Sequence, residues 1–526
     1  MAITDALIAS VDQGGGSRAQ ELVRRARFAF ERRDRMKALY RKAQQLGQPN
    51  RDGWDSPADG KETQVDVVDS TFQAACNRLA NTLMEKWVPK DSRWVGFGPG
   101  SQIEKESHDD VRQRLIPMAE TTSDLLTQGG FYRAAQPFFS DLIFGTGALQ
   151  TDDDWENVCR IQCVPIHELG AEEGPRSMVD AIFREYSVQG RRLKEFLGDK
   201  LRLPSGLESQ LSGSPDTPQK LLSCVVPETR GPKRYVQTVY WAGSWRDPLL
   251  EREFSSNPMA VSRWGVLPGE VFGRGPALEA ACTAASLNEL STLILAATSI
   301  AAYGMWTSSS SEVNSDTVQF QPGGIIQVGS GGNDNSNPTL RPLQTSGNMD
   351  WGEWVQRDLR SQIQKSLFRD NLSGVDDRSK MTLGEVLERQ AMVMSDMSAG
   401  YNRTNDEGIG RCVARVVELG ARHGKLPQMV RIDNKLVKME YLSPLARAQS
   451  QEAINALRSL AQEVRQDAAV NPAVLARWDE GAYYRRLAAL TGVDAEGILR
   501  DDEETNDRLS QAAAMVQQAQ GQEMAA

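Results

Sequence analysis

Groups able to do chemistry are sparse in this sequence. Only three histidines, His108, His167 and His423, occur in 526 residues, so imidazole acid–base catalysis has few candidates. Asp152-Asp153-Asp154 places three carboxylates in a row. They could hold a cation, but alternate side chains diverge along a strand, and a hairpin turn is the expectation here. Cys159, Cys163 and His167 have a spacing that invites zinc, yet zinc sites use tighter cysteine pairs and a fourth ligand. In a strand, positions 159 and 163 share one face and Pro165 interrupts the run before His167, so core cysteines are expected. There is no Gly-x4-Gly-Lys-Ser/Thr phosphate loop, no Gly-x-Ser-x-Gly elbow and no His-Glu-x-x-His pair. Gly323-Gly324 and Gly331-Gly332 have no following helix to make a nucleotide cradle. No catalytic residue, metal or cofactor is expected.

The chain carries 60 Lys+Arg against 70 Asp+Glu, a formal net charge of −10, which is the wrong sign for a generic nucleic-acid binder. Its length suggests two to four domains with ample core. Met1–Ser10 lacks a basic segment followed by an apolar one, so no secretory signal is expected. Six widely spaced cysteines (Cys76, Cys159, Cys163, Cys224, Cys282 and Cys412) suit a reducing cytoplasm rather than a disulfide framework.

Arg18 to Lys42 is strongly basic, with Leu22, Phe28, Phe30, Met36, Leu39 and Tyr40 interspersed. It could contact nucleic acid or an acidic partner; the plainer reading is a solvated helix face above an apolar stripe. Helices are expected over 65–87, 104–128 and 131–144. Strands are expected over 148–151, 158–165, 181–188, 224–226, 234–241 and 261–266, and a polar loop over 203–219. The region from 60 to 270 therefore reads as a mixed α+β body.

The next stretch sets the organisation of the chain. Gly275-Pro276 opens a helix of small and apolar residues ending at Tyr303-Gly304, a rod of roughly 42 Å. Leu290–Trp306 is 17 residues without a charge, just short of membrane-spanning length, but it holds Ser and Thr and continues a helix containing Glu289. A buried inter-subunit helix is the expectation. A Gly/Ser-rich, charge-poor insert follows to Leu343, with strand candidates at 318–320 and 325–328. A second helix spans about 350–367, then the polar loop 369–378. Thr382-Leu383-Gly384-Glu385 matches a capping box and opens a long helix to about 426. Gly400, Gly408, Gly410 and Gly420 predict that this helix is bent or broken.

Ser443-Pro444 opens a helix to about 469, with Ala446, Ile454, Leu457, Leu460 and Val464 on one side. Asn471-Pro472 starts another that includes Trp478, Tyr483 and Tyr484, and Asp494 a short third. Residues 511–526 are Gln/Ala/Met-rich.

Pro258, Arg263-Trp264, Phe272-Gly273-Arg274-Gly275-Pro276 and Leu287-Asn288-Glu289-Leu290 occur in that order, followed by Lys380-Met381-Thr382-Leu383-Gly384-Glu385-Val386. The series, spanning about Ala26 to Asp494 and fading past Asp501, resembles the portal (head-to-tail connector) family of tailed phages, closest to the T7-like short-tailed group. The last motif is similar to the family's basic-x-Thr-Ala-x-Glu-Ile/Val pattern, with Leu and Gly replacing part of it. The resemblance implies an α+β, mostly helical portal fold. Its parts would be an α/β wing (1–272), stem helices (273–304 and 346–368), a small β-containing clip (305–345), a tunnel loop (369–380), a long kinked wing helix with its return (381–440), and a helical crown with C-terminal tail (441–526).

It further implies a ring of about twelve identical chains around a channel for double-stranded DNA. Twelve copies would carry about −120 formal charges, suiting a wall that lets the duplex slide rather than grips it. Arg360 and Lys365 would lie in the stem. Arg369, Asp370, Asn371, Ser373, Gly374, Asp376, Asp377, Arg378 and Lys380 would form the tunnel loop, with Lys365, Arg369, Arg378 and Lys380 as its sparse cations; an ordinary surface turn remains the alternative. Ser309, Ser310, Glu312, Asp316, Gln319, Asn333 and Asp334 would lie in the clip, where the terminase large subunit docks during packaging and a tail adaptor afterwards. Major capsid and scaffolding proteins, and internal core proteins at the crown, are the other implied partners. The particle would assemble in the host cytoplasm and reside at the portal vertex of the virion, without membrane insertion. A membrane pore or scaffold subunit, or a metal-dependent enzyme using Asp152–Asp154 or Cys159/Cys163, are the rival classes.

Overall fold

The computed structural model describes residues 17–49, 54, 67–98, 108–198, 201–228, 234–243, 247–303, 306–308, 325–327, 340–342, 349–368, 397–426, 431–432, 435–436, 438–441, 451–470, 478 and 480–491. It is α+β and mostly helical, and divides into two compact units. The first comprises Met1–Met84, Asp124–Val386 and Ser398–Gln428; the second comprises Glu85–Ser123, Leu387–Met397 and Met429–Ala526.

In chain order the main elements are α1 (Ser17–Gly47), α2 (Thr71–Trp87), β1 (Val95–Gly98), α3 (His108–Gln128) and α4 (Phe131–Leu142). Strands β2 (Thr146–Asp154), β3 (Val158–Val164), β4 (Leu169–Glu173), β5 (Val179–Gln189), β6 (Pro218–Glu228), β7 (Arg234–Trp241), β8 (Leu250–Phe254) and β9 (Met259–Arg263) follow. Then come α5 (Pro276–Tyr303), three short strands β10 (Trp306–Ser308), β11 (Ile325–Gln327) and β12 (Leu340–Pro342), and α6 (Met349–Ser366). A helical stretch over 397–404 passes through a π-helical turn at Asn405–Ile409 into α7 (Gly410–Arg422).

The first unit is built on a five-stranded antiparallel meander, β4-β5-β6-β7-β8. Strand alternation divides its side chains between two cores. Phe183, Leu222, Cys224 and Tyr240 face α1, whose Leu22, Val23, Ala26, Ala29 and Phe30 cover them. Val188, Leu221, Val239 and Trp241 point the other way, against the short helices 193–197 and 205–213. A second sheet, β3-β2-β9, is also antiparallel and packs with α4 and α7.

Several expectations are corrected. Asp152, Asp153 and Asp154 are not a turn; they finish β2 and pair with Arg160, Cys159 and Val158 across the hairpin, whose turn is 155–157. The region 203–219 is not a loop: Pro204 leads into a helix over Ser205–Gly213 that buries Leu207, and β6 begins at Pro218. Phe28 and Leu39 do not join the buried stripe of α1, whereas Tyr40 is wholly buried. Where the long helix is described, over 397–422, it is continuous, and the irregularity among its glycines is a π turn at Asn405–Ile409, which sets Gly408 against Ser262 of β9 with no room for a side chain.

In the second unit, β1 pairs antiparallel with β15 (Lys438–Tyr441), and β13 (Arg431–Ile432) with β14 (Lys435–Leu436); none of these was expected. Helices α8 (Gln451–Val470) and α9 (Glu480–Thr491) follow. On α8 the buried positions are Ile454 and Ala461, while Leu460 is exposed, one step from the expected face. Trp478 precedes α9 and its ring meets Tyr483 at 5.5 Å. The strand candidate 318–320, the capping box at 382–385, and the helix starts at 443–444, 471–472 and 494 lie outside the described residues.

Candidate functional site

The residues Phe272-Gly273-Arg274-Gly275-Pro276 prepare the start of α5. Backbone meets backbone here: a Cβ on Gly273 would lie 2.2 Å from the Gly145 oxygen, and one on Gly275 would lie 2.1 Å from the Ile143 oxygen. That approach lets Gly275 N–H donate to Phe144 O (3.2 Å), Ala277 N–H to Ile143 O (3.0 Å) and Trp264 N–H to Gly145 O (2.9 Å). The Tyr40 hydroxyl donates to Gly273 O, and Gly273 N–H donates to Thr146 Oγ1 at 2.8 Å. Burial pushes the Tyr40 phenol well above its ordinary range. The long helix is thus fastened to α1 and α4 at its first residue.

Its second fastening comes from α6. Arg360 donates through Nε and Nη2 to one Asp69 oxygen (3.0 and 2.8 Å), and the other Asp69 oxygen accepts from Thr71 N–H (2.8 Å), the first amide of α2. Burial alone would raise the Asp69 carboxyl, but the hydrogen bonds from Thr71 and Arg360 outweigh it and hold it below the usual carboxylate range. Asn288 Oδ1 of α5 accepts from Val68 N–H at 2.8 Å, and Gln356 Nε2 of α6 donates to Ser291 Oγ at 2.9 Å. Gly352 sits against Ile294, so the two backbones run close.

Burial changes sharply along this pair. At the base, Ala277, Ala281, Ala284 and Leu287 of α5 and Ile363 of α6 are buried. Further out, Leu293 (61 % exposed), Leu295, Trp351 (67 %) and Trp354 (65 %) face solvent. Beyond them β10 pairs parallel with β11 and antiparallel with β12, closing a three-stranded sheet. Trp351 and Trp354 lie about 60° apart on α6 and present two exposed indoles on one side of it, while Leu293 and Leu295 are exposed on different sides of α5; apolar side chains of this size left in water are of the kind that marks association.

A buried ionic knot lies beside the base. Arg263 of β9 has no exposed side-chain surface; it donates to both Glu407 oxygens (3.0 and 2.7 Å), to Glu173, and to the Ser177 and Val271 carbonyls. Burial lowers the guanidinium's affinity for its proton, but the bonds to Glu407 and Glu173 more than restore it. The π turn is what aims Glu407 at Arg263.

Of the stem and loop residues expected to act, Arg360 makes the Asp69 pair and Lys365 is exposed. Arg369, Asp370, Asn371, Ser373, Gly374, Asp376, Asp377, Arg378 and Lys380 lie outside the described residues, as do Ser309, Ser310, Glu312, Asp316, Gln319, Asn333 and Asp334. Asp152–Asp154 do not converge. Asp152 is raised by burial despite Arg160 and Arg184 nearby, and Asp153 meets His423 at 2.7 Å. Cys159 is buried in the core, its thiol pushed up by burial to about 12. Nothing in the local sequence marks Asp69, Glu407 or the exposed tryptophans; Tyr40 stands out only as part of the apolar set in the basic segment, and Arg263 only as part of the ordered series.

Comparison with known proteins points one way. The family described as "Bacteriophage head to tail connecting protein" matches residues 19–499. A portal protein of Salmonella phage epsilon15 is 23 % identical over 489 residues, covering 87 % of this chain and 84 % of that one. A protein named as a probable portal protein of Bordetella phage BPP-1 is 21 % identical over 487 residues, covering 87 % and 86 %.

Proposed function

The chain belongs to the bacteriophage head to tail connecting protein family, and from that premise we propose that it closes into a ring of about twelve copies around a channel for double-stranded DNA. It is a bacteriophage portal protein, a virion component at the capsid vertex and not an enzyme. The observation that carries the ring is the exposed apolar stretch of α5 and α6, with Leu293, Leu295, Trp351 and Trp354 uncovered in one chain. A heterologous interface repeated around an axis would bury that surface once per copy.

On this reading, residues 273–304 and 346–368 are the stem and 305–345 the clip that meets the terminase large subunit and then a tail adaptor. Residues 369–380 are the tunnel loop, and 441–526 the crown with its tail; the subgroup is that of T7-like short-tailed phages. Capsid, scaffolding and internal core proteins are the remaining partners. Arg369, Arg378 and Lys380, offset by Asp370, Asp376 and Asp377, give the loop a near-balanced charge that a sliding duplex requires.

A membrane pore is the other reading of α5, which by length and composition could cross a bilayer. Its partner argues against it: α6 carries Glu353, Arg357, Asp358 and Arg360, and the base of α5 is buried in its own unit. The test is sedimentation without detergent of the variant L293E/W351E/W354E beside the unsubstituted protein. The expected result is a large ring for the latter, and for the former dissociated chains that keep the secondary-structure content of the unsubstituted protein by circular dichroism. A variant that still assembles as fully would overturn the assignment.

A further inference from the structure

We propose that the outer face of α1 docks an acidic amphipathic helix of a partner protein, an interaction independent of ring closure. At 3.6 residues per turn, positions 24, 28, 32, 35, 39 and 42 fall within an arc of about 80° along about 27 Å of helix. They are Arg24, Phe28, Arg32, Arg35, Leu39 and Lys42, all exposed, with Phe28 at 54 % and Leu39 at 44 %. On the other sides of the same helix the cations are answered. Arg25 meets Glu172 at 2.8 Å, Arg27 meets Glu31 at 2.8 Å, Arg33 meets Asp34 at 2.8 Å, and Arg18 lies 3.6 Å from Glu251. Arg24, Arg32, Arg35 and Lys42 have no carboxylate partner among the described residues. Four unanswered cations in one line, on a chain of net charge −10, leave a local positive strip needing negative charge from outside.

The apolar pair decides between partner classes. Phe28 and Leu39 are eleven residues apart, three helical turns, and share the line with the cations. A duplex would gain nothing from either apolar side chain, since its outward face is a phosphate backbone. A helix with two apolar anchors at matching spacing can pack on Phe28 and Leu39 while its flanking carboxylates meet the four cations.

The experiment titrates the full chain into a fluorescent helical peptide of about 22 residues. The peptide bears leucines eleven positions apart and glutamates flanking them; a lysine-for-glutamate twin and a DNA duplex are run alongside. The glutamate peptide should bind, weaken as salt rises, and weaken about 30-fold on R24E/R32E/R35E/K42E, the combined effect of four surface ion pairs. F28A/L39A should weaken it about tenfold without altering the salt slope. Equal peptide affinity for the unsubstituted and charge-reversed proteins would overturn the proposal. So would duplex binding that competes with the peptide and is lost in the same variant, which would reassign the strip to nucleic acid. Both variants alter exposed positions, and unchanged melting temperatures confirm that loss of binding is not loss of fold.

Discussion

At the scale of single residues, the approach to α5 is tightly constrained. G273A would place a methyl 2.2 Å from the Gly145 oxygen, and since that neighbour is backbone, the expected cost is about 2–3 kcal/mol in denaturant unfolding. Arg263 makes a second sharp case. R263A would leave Glu407 buried without its counter-charge, at about 3–5 kcal/mol, whereas R263L/E407L should recover most of that loss. Asp69 links stability to pH. Its folded-state carboxyl lies below its unfolded value near 3.9, so its contribution is full above about pH 4 and fades as pH falls through the folded value. D69A should therefore cost about 1–2 kcal/mol at pH 7 and much less in acid, read from melts across that range. These residues were hard to see in the sequence because each partner is distant: Asp69 lies 291 positions from Arg360, and Arg263 lies 144 from Glu407. Asp152–Asp154 misled for a related reason. Three adjacent carboxylates look like a turn until Arg160, Arg184, Arg422 and His423 are found beside them.

At the scale of elements, local signals were read well where they were strong. Gly275-Pro276 marked the start of α5, and the apolar run 234–241 coincides with β7. Strands β4 and β8 escaped notice because they carry charges: Glu172 and Glu173 in one, Glu251, Arg252 and Glu253 in the other. Tertiary packing supplies what their composition lacks. The four glycines predict a bend or break in the last long helix; the described part instead stays helical and carries a π turn, which seats Gly408 on Ser262 and includes Glu407, the partner of Arg263. The proposed tunnel loop makes its own prediction at this scale. Replacing Arg369, Arg378 and Lys380 by Gln should leave particle mass unchanged and reduce the salt-dependent retention of duplex DNA by the particle. Retention that does not change would remove these cations from the channel.

At the scale of the whole molecule, the acidic balance and the exposed apolar helix pair belong together. A chain of net charge −10 has little reason to hold DNA tightly, and uncovered Leu293, Trp351 and Trp354 have little reason to face water. The proposed ring would account for both: closure would bury the apolar side chains between neighbours and line a channel that does not grip its cargo. The most direct measurement is the particle mass of the purified protein in detergent-free buffer, together with negative-stain images of the same sample. At 58.1 kDa per chain, twelve copies predict a particle of about 700 kDa with a central hole. A stable small oligomer without a channel, persisting at high concentration, would contradict the account.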